Sequence, residues 1–162
     1  MSWRSAFLAQ ARSDNAVRKL LNRERVEYSH QLHYLQMVAE KLAKGFMTLD
    51  AAIDPPDFSH GAIVRFLQTL KGRPEVRRQL GYVDRATFRS FIDSLLPFVG
   101  TVERLAPSHA GKTQPNPEYP WQPTPADEVI VPCEFDFAAF KPTDPRIIKF
   151  TELLESLLRI AV

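Results

Sequence analysis

Two groups of side chains in this 162-residue chain have types and spacings that could do chemistry. Arg104 and His109 bracket the segment Arg104-Leu-Ala-Pro-Ser-His109. An imidazole moves protons near neutral pH, and a guanidinium stabilises charge on a phosphate, so the pair is a candidate for acid–base work at an anionic centre. Pro107 lies between them and is expected to end the helix, so the two need not face the same space. The competing structural account makes Arg104 a basic residue in a last helical turn, where the helix dipole favours it, and His109 a loop residue.

The second group lies on residues 27–47. Tyr28, Leu32, Leu35, Ala39, Leu42 and Phe46 recur at alternating spacings of four and three, which predicts a helix with one apolar stripe. His30, His33, Met37, Lys41 and Lys44 fall opposite that stripe, with Glu40 beside them. His30, His33, Lys41 and Lys44 are the candidate ligand-binding face, and a solvated or interface face is the alternative. The His30–His33 spacing suits two metal ligands, but the other ligands are missing, so no metal site and no cofactor are expected. Lys41, Lys44, Lys71, Arg73, Arg77, Arg78 and Arg85 would suit a phosphate-bearing ligand if several of them cluster. Interleaved Glu40, Glu75 and Asp84 favour ordinary ion pairs instead. Asp93 and Glu103 are only generic carboxylate candidates. No Gly-rich phosphate loop, Gly-x-Ser-x-Gly or His-Glu-x-x-His motif occurs. Cys133 sits among apolar and proline residues and is expected to be a buried, inert thiol.

The elements that must position these groups are helical. Ser2 is expected to cap a first short helix, and Ser13-Asp14-Asn15 to interrupt it before a second begins at Ala16. The main helix, 27–47, stops at Asp54-Pro55-Pro56-Asp57. Ser59 caps 61–71, Pro74 opens 74–80, Gly81 ends it, and Asp84 caps a long helix from 85 to about 105 that contains Pro97. From 111 to 125, five prolines favour an extended path, which Tyr119 and Trp121 are expected to pin to the bundle. A single edge pairing is possible near 129–131. Thr143 or Asp144 caps the last helix, with Pro145 at its first position. Its apolar band is wide enough for burial on two sides, inside the bundle or across a subunit interface.

The pattern predicts one all-α domain spanning 1–162. It would be an antiparallel four- to five-helix bundle with an ordered proline-rich strap before the C-terminal helix. A net charge of +2 does not mark a nucleic-acid binder by itself. One cysteine allows no internal disulfide. No apolar run approaches the roughly 20 residues that cross a bilayer, and the N-terminus has no signal-peptide core, so a cytoplasmic location without membrane contact is expected.

The run HYLQMVAEKLAKGF, 33–46, resembles the central helix of the HEPN-like domain family. Ser59-His60 opening the helix GAIVRFLQTL is similar to that family's histidine-initiated following helix. The segment NPEYPW, 116–121, is similar to its Pro- and Tyr-bearing segment between later helices. The resemblance implies a helical bundle and two kinds of activity. Some members are metal-independent ribonucleases with an Arg-x4-6-His motif completed across a dimer, a spacing that Arg104 and His109 match. Here Leu105 stands where a polar residue is usual. Other members are non-catalytic partners, some beside small nucleotidyltransferases. The expectation is a homodimeric, non-catalytic module that binds a nucleotide, nucleic acid or protein, as an accessory of a toxin–antitoxin or defence system. The alternatives are an endoribonuclease using Arg104 and His109, and a protein-interaction module using the C-terminal stripe.

Overall fold

The computed structural model describes residues 1–49 and 61–161. Over these the chain is an all-α bundle of seven α-helices, with two short 3-10 turns at Pro132–Glu134 and Ala138–Phe140 and no strand. The expected stop at 54–57, the Ser59 cap and the Ser59-His60 pair lie outside the described residues. No helix among those described is long and apolar enough to cross a membrane.

Helix α1 runs unbroken from Trp3 to Arg23, capped by the Ser2 hydroxyl, which accepts from the Ser5 N–H. The expected interruption at Ser13-Asp14-Asn15 is not there, because the polar side chains find partners that do not compete with the helix. The Asp14 carboxylate is buried and accepts from Gln10 Nε2 at 2.9 Å and from Lys41 Nζ of the next helix at 2.6 Å. Asn15 Oδ1 accepts from Arg18 Nε at 3.1 Å. Residues that would otherwise cap a break are satisfied inside the helix by a neighbour.

A four-residue connection, 24–27, turns the chain back into α2, Tyr28–Met47, so α1 and α2 form a helical hairpin. Val26 N–H donates to Leu21 O and Arg25 N–H to Asn22 O, and Arg25 sits at φ 54°. That is the Schellman geometry, held here by a residue other than glycine. The same motif closes α4, Pro74–Gln79, with Gly81 at φ 83°, Tyr82 N–H donating to Arg77 O and Gly81 N–H to Arg78 O. Within the hairpin, a Cβ on Gly45 would lie 2.6 Å from Leu8 Cδ2 and 2.8 Å from its Cγ. Gly45 therefore lets α1 approach α2 more closely than any other residue could.

Helix α3, Ala62–Leu70, presents Ile63, Phe66, Leu67 and Leu70 to the core. Gly61, at its N-cap, has no side chain to offer as a cap. Glu103 of α5, Arg85–Arg104, reaches across and accepts from Ile63 N–H at 2.9 Å and Val64 N–H at 3.3 Å. This satisfies two of the orphan donors that every helix start exposes. Asp84 caps α5 through Thr87, and α5 continues past Pro97, which is exposed. A one-turn helix α6, Pro107–Ala110, follows immediately.

The strap then crosses the bundle. Trp121 is 2% exposed and packs on Phe135 and Phe137, while its backbone forms one antiparallel bridge with Ile130. Tyr119 does not share that role: it is 56% exposed. Asn116, fully buried, accepts from Glu118 N–H and Tyr119 N–H through Oδ1, and this turn leaves the tyrosine on the outside. Cys133 is also exposed rather than buried, because Pro132 takes the inward position at the start of its 3-10 turn. Asp144 caps α7, Pro145–Ile160, whose Ile147, Phe150, Leu153, Leu154, Leu157 and Leu158 are all buried within the chain. The wide C-terminal stripe is thus consumed inside the bundle.

Candidate functional site

The undecided face of α2 is narrower than its sequence pattern suggests. Among its candidate residues only His30 is exposed. Lys41 is held by Asp14, and Lys44 Nζ lies 2.5 Å from Glu40 Oε1 and 5.9 Å from the centroid of the Phe7 ring. His33 is half-buried, its ring edge-on to Tyr34, and Nδ1 is 3.6 Å from Glu118 Oε2 on the strap. Burial pushes the His33 pKa down, with Lys41 and His30 adding to the effect, while Glu118 and Asp14 oppose it. The distance alone would suggest an ion pair. Burial outweighs the carboxylates, and Nδ1 makes no hydrogen bond, so His33 is a neutral ring beside Glu118 near pH 7. These side chains mainly tie α2 to α1 and to the strap.

Arg104 and His109 stand on opposite sides of the break between α5 and α6. Both are exposed, and the Arg104 guanidinium lies back along its helix, with Nη1 3.7 Å from where a Cβ on Gly100 would sit. Pro107 opens α6 instead of a loop, so His109 occupies a helical turn of its own. No group of three or more His, Cys, Asp or Glu side chains able to hold a metal occurs among the described residues.

The fold does bring together part of the basic series. Lys71, Arg73, Arg77 and Arg85 line one pocket of about 200 Å³ where α3, α4 and α5 meet, with Gly72 and Pro74 completing the wall. Each cation is placed by a local device. The turn after α3 carries Gly72 and directs Lys71 and Arg73, whose Nη2 donates to Phe46 O at 3.1 Å. Arg77, in the last turn of α4, donates from Nη1 to the carbonyls of Tyr82 (3.0 Å) and Val83. Arg85 is the first residue of α5 and is exposed. Among the described residues, Lys71 alone of the four has a carboxylate partner, Asp93.

The electrostatic consequence follows from the partners. A carbonyl orients a guanidinium without cancelling its charge, so Arg73 and Arg77 are fixed and remain net cationic. Residues 71–93 hold six basic and three acidic side chains, a net of +3 that exceeds the +2 of the whole chain. Asp84 turns its carboxylate to Thr87 as a helix cap, which holds its pKa low. Such an arrangement can accept an anion with several oxygens. Sequence reading named all four pocket residues but grouped them with Lys41 and Lys44, which the fold commits elsewhere. Comparisons with family models, curated proteins and solved structures gave no match to this chain.

Proposed function

We propose that this chain is a non-catalytic, HEPN-like helical module that binds a nucleotide or a nucleic-acid strand by seating a phosphate among Lys71, Arg73, Arg77 and Arg85. The observation that carries the reading is the pocket itself: four cations around about 200 Å³, of which one is neutralised by a carboxylate among the described residues. That volume suits one phosphate group, with the rest of the ligand outside. The HEPN-like part rests on α2. Its Ala39-Glu40-Lys41 segment is spent on packing and on the Asp14 and Lys44 pairs, an architectural use in keeping with the resemblance. The separation of Arg104 from His109 by a helix break favours binding over cleavage.

The test is anisotropy of a labelled oligoribonucleotide against salt. Binding should tighten as salt falls, and Arg85→Ala, which removes no side-chain bond among the described residues, should weaken it about three- to tenfold. Absence of binding at low salt would overturn the reading and leave a protein partner. Metal-independent RNA cleavage lost in both Arg104→Ala and His109→Ala would overturn its non-catalytic part.

A further inference from the structure

A second cleft, of about 290 Å³, lies on another part of the bundle, between the end of α1, the start of α2 and the first half of α7. Its apolar wall comes from Leu35, Ile147 and Ile148, of which Ile148 is 44% exposed. Its polar groups are less settled than those of an ordinary structural crossing. Arg18 donates from Nη2 to Glu155 Oε1 at 2.7 Å and from Nε to Asn15 Oδ1, and Nη1 has no partner among the described residues. Glu155 is shared, its other oxygen lying 3.2 Å from Lys19 Nζ. The side chain of Arg18 is only 14% exposed, and burial pulls its pKa down against the pull of Glu155. Tyr28 is half-buried with its phenol pKa pushed up by burial, so its hydroxyl stays protonated and can donate. Glu152, one turn before Glu155 on the same helix face, has no partner among the described residues.

We propose that this cleft binds a small zwitterion with an apolar side chain, of the class of free aliphatic or aromatic α-amino acids. The charges decide the class. Of the charged residues lining the cleft, Glu155 is taken up by Arg18 and by Lys19 outside it, which leaves the Arg18 Nη1 donor and the Glu152 carboxylate, so a ligand carrying both charges meets a partner at each end. Its carboxylate would take Arg18 Nη1 and the Tyr28 hydroxyl, and its ammonium would take Glu152. The apolar part would cover Leu35, Ile147 and Ile148, and a cleft near 300 Å³ admits a ligand of single-amino-acid size.

The experiment is a titration of the full chain with L-leucine and with L-phenylalanine, followed in ¹H–¹⁵N spectra. Saturable shifts should appear at the amides of Asn22, Gln31 and Thr151, with a Kd of about 1 mM or tighter. Replacing the ligand's ammonium by an N-acetyl group, or its carboxylate by an amide, should weaken binding about three- to tenfold. Glu152→Gln should weaken the zwitterion by a similar factor and leave the N-acetyl derivative unchanged. Arg18→Gln also removes an α1–α7 ion pair, so Tyr28→Phe serves as the milder variant at the carboxylate end. The proposal is overturned if no amino acid gives saturable shifts, or if the blocked derivatives bind as well as the free one.

Discussion

His33 Nδ1 of α2 lies 3.6 Å from Glu118 Oε2 of the strap, yet it is buried without a hydrogen bond and its pKa is lowered. The folded chain therefore holds this imidazole neutral at a pH where the unfolded chain, with an ordinary pKa of about 6.5, begins to take up a proton. Stability from this group is fully present above that unfolded value and declines as the pH falls through it toward the folded pKa. The urea midpoint should drop between about pH 7.5 and pH 5.5, and His33→Gln should flatten part of that decline. An unchanged profile in the variant would assign the acid sensitivity elsewhere.

Glu103 should behave as a helix cap although it belongs to another helix. Glu103→Ala removes the acceptor for the Ile63 and Val64 amides and is expected to cost about 1–2 kcal/mol. Hydrogen exchange gives the specific readout, because those two amides should lose protection before the rest of α3. Uniform loss of protection across α5 instead would mean that Glu103 acts through its own helix.

The paired Schellman turns make opposite expectations. Arg25 holds a left-handed conformation that costs a non-glycine residue roughly 1–2 kcal/mol, so Arg25→Gly should raise stability by about 1 kcal/mol once glycine's greater unfolded-state freedom is subtracted. Gly81→Ala has open space around its new methyl group but the wrong φ, and should lower stability by about 1 kcal/mol. Thermal midpoints of the two variants should move in opposite directions.

The helical frame was legible because periodicity reports burial. Leu32, Leu35, Ala39, Leu42 and Phe46 mark α2, and Ile147, Phe150, Leu154 and Leu157 mark α7, just where the core receives them. Capping chemistry was equally plain at Ser2 and Asp84, and of the two candidates at the start of α7, Thr143 and Asp144, the structure uses Asp144. Asp14 misled for a physical reason: a short polar side chain signals a cap only when no distant cation claims it, and Lys41, 27 residues away, does. Tyr119 and Cys133 misled because extended and 3-10 segments alternate inward and outward neighbours, so hydrophobic character near Trp121 or Pro132 does not transfer to the adjoining residue. The basic pocket was half legible. Residue type named Lys71, Arg73, Arg77 and Arg85, but only tertiary structure separates cations held by carbonyls from those held by carboxylates, as Lys41 and Lys44 are.

Gly45 and Leu8 have a consequence beyond this one chain. Because the two helices meet where a glycine faces a leucine, volume at these positions is exchangeable only as a pair: bulk gained at 45 has to be surrendered at 8, or the hairpin must splay. A descendant keeping the hairpin should therefore drift along a track of compensated substitutions, small against large or intermediate against intermediate. Covariation between these two columns would mark kinship through shared geometry even where overall sequence identity has faded.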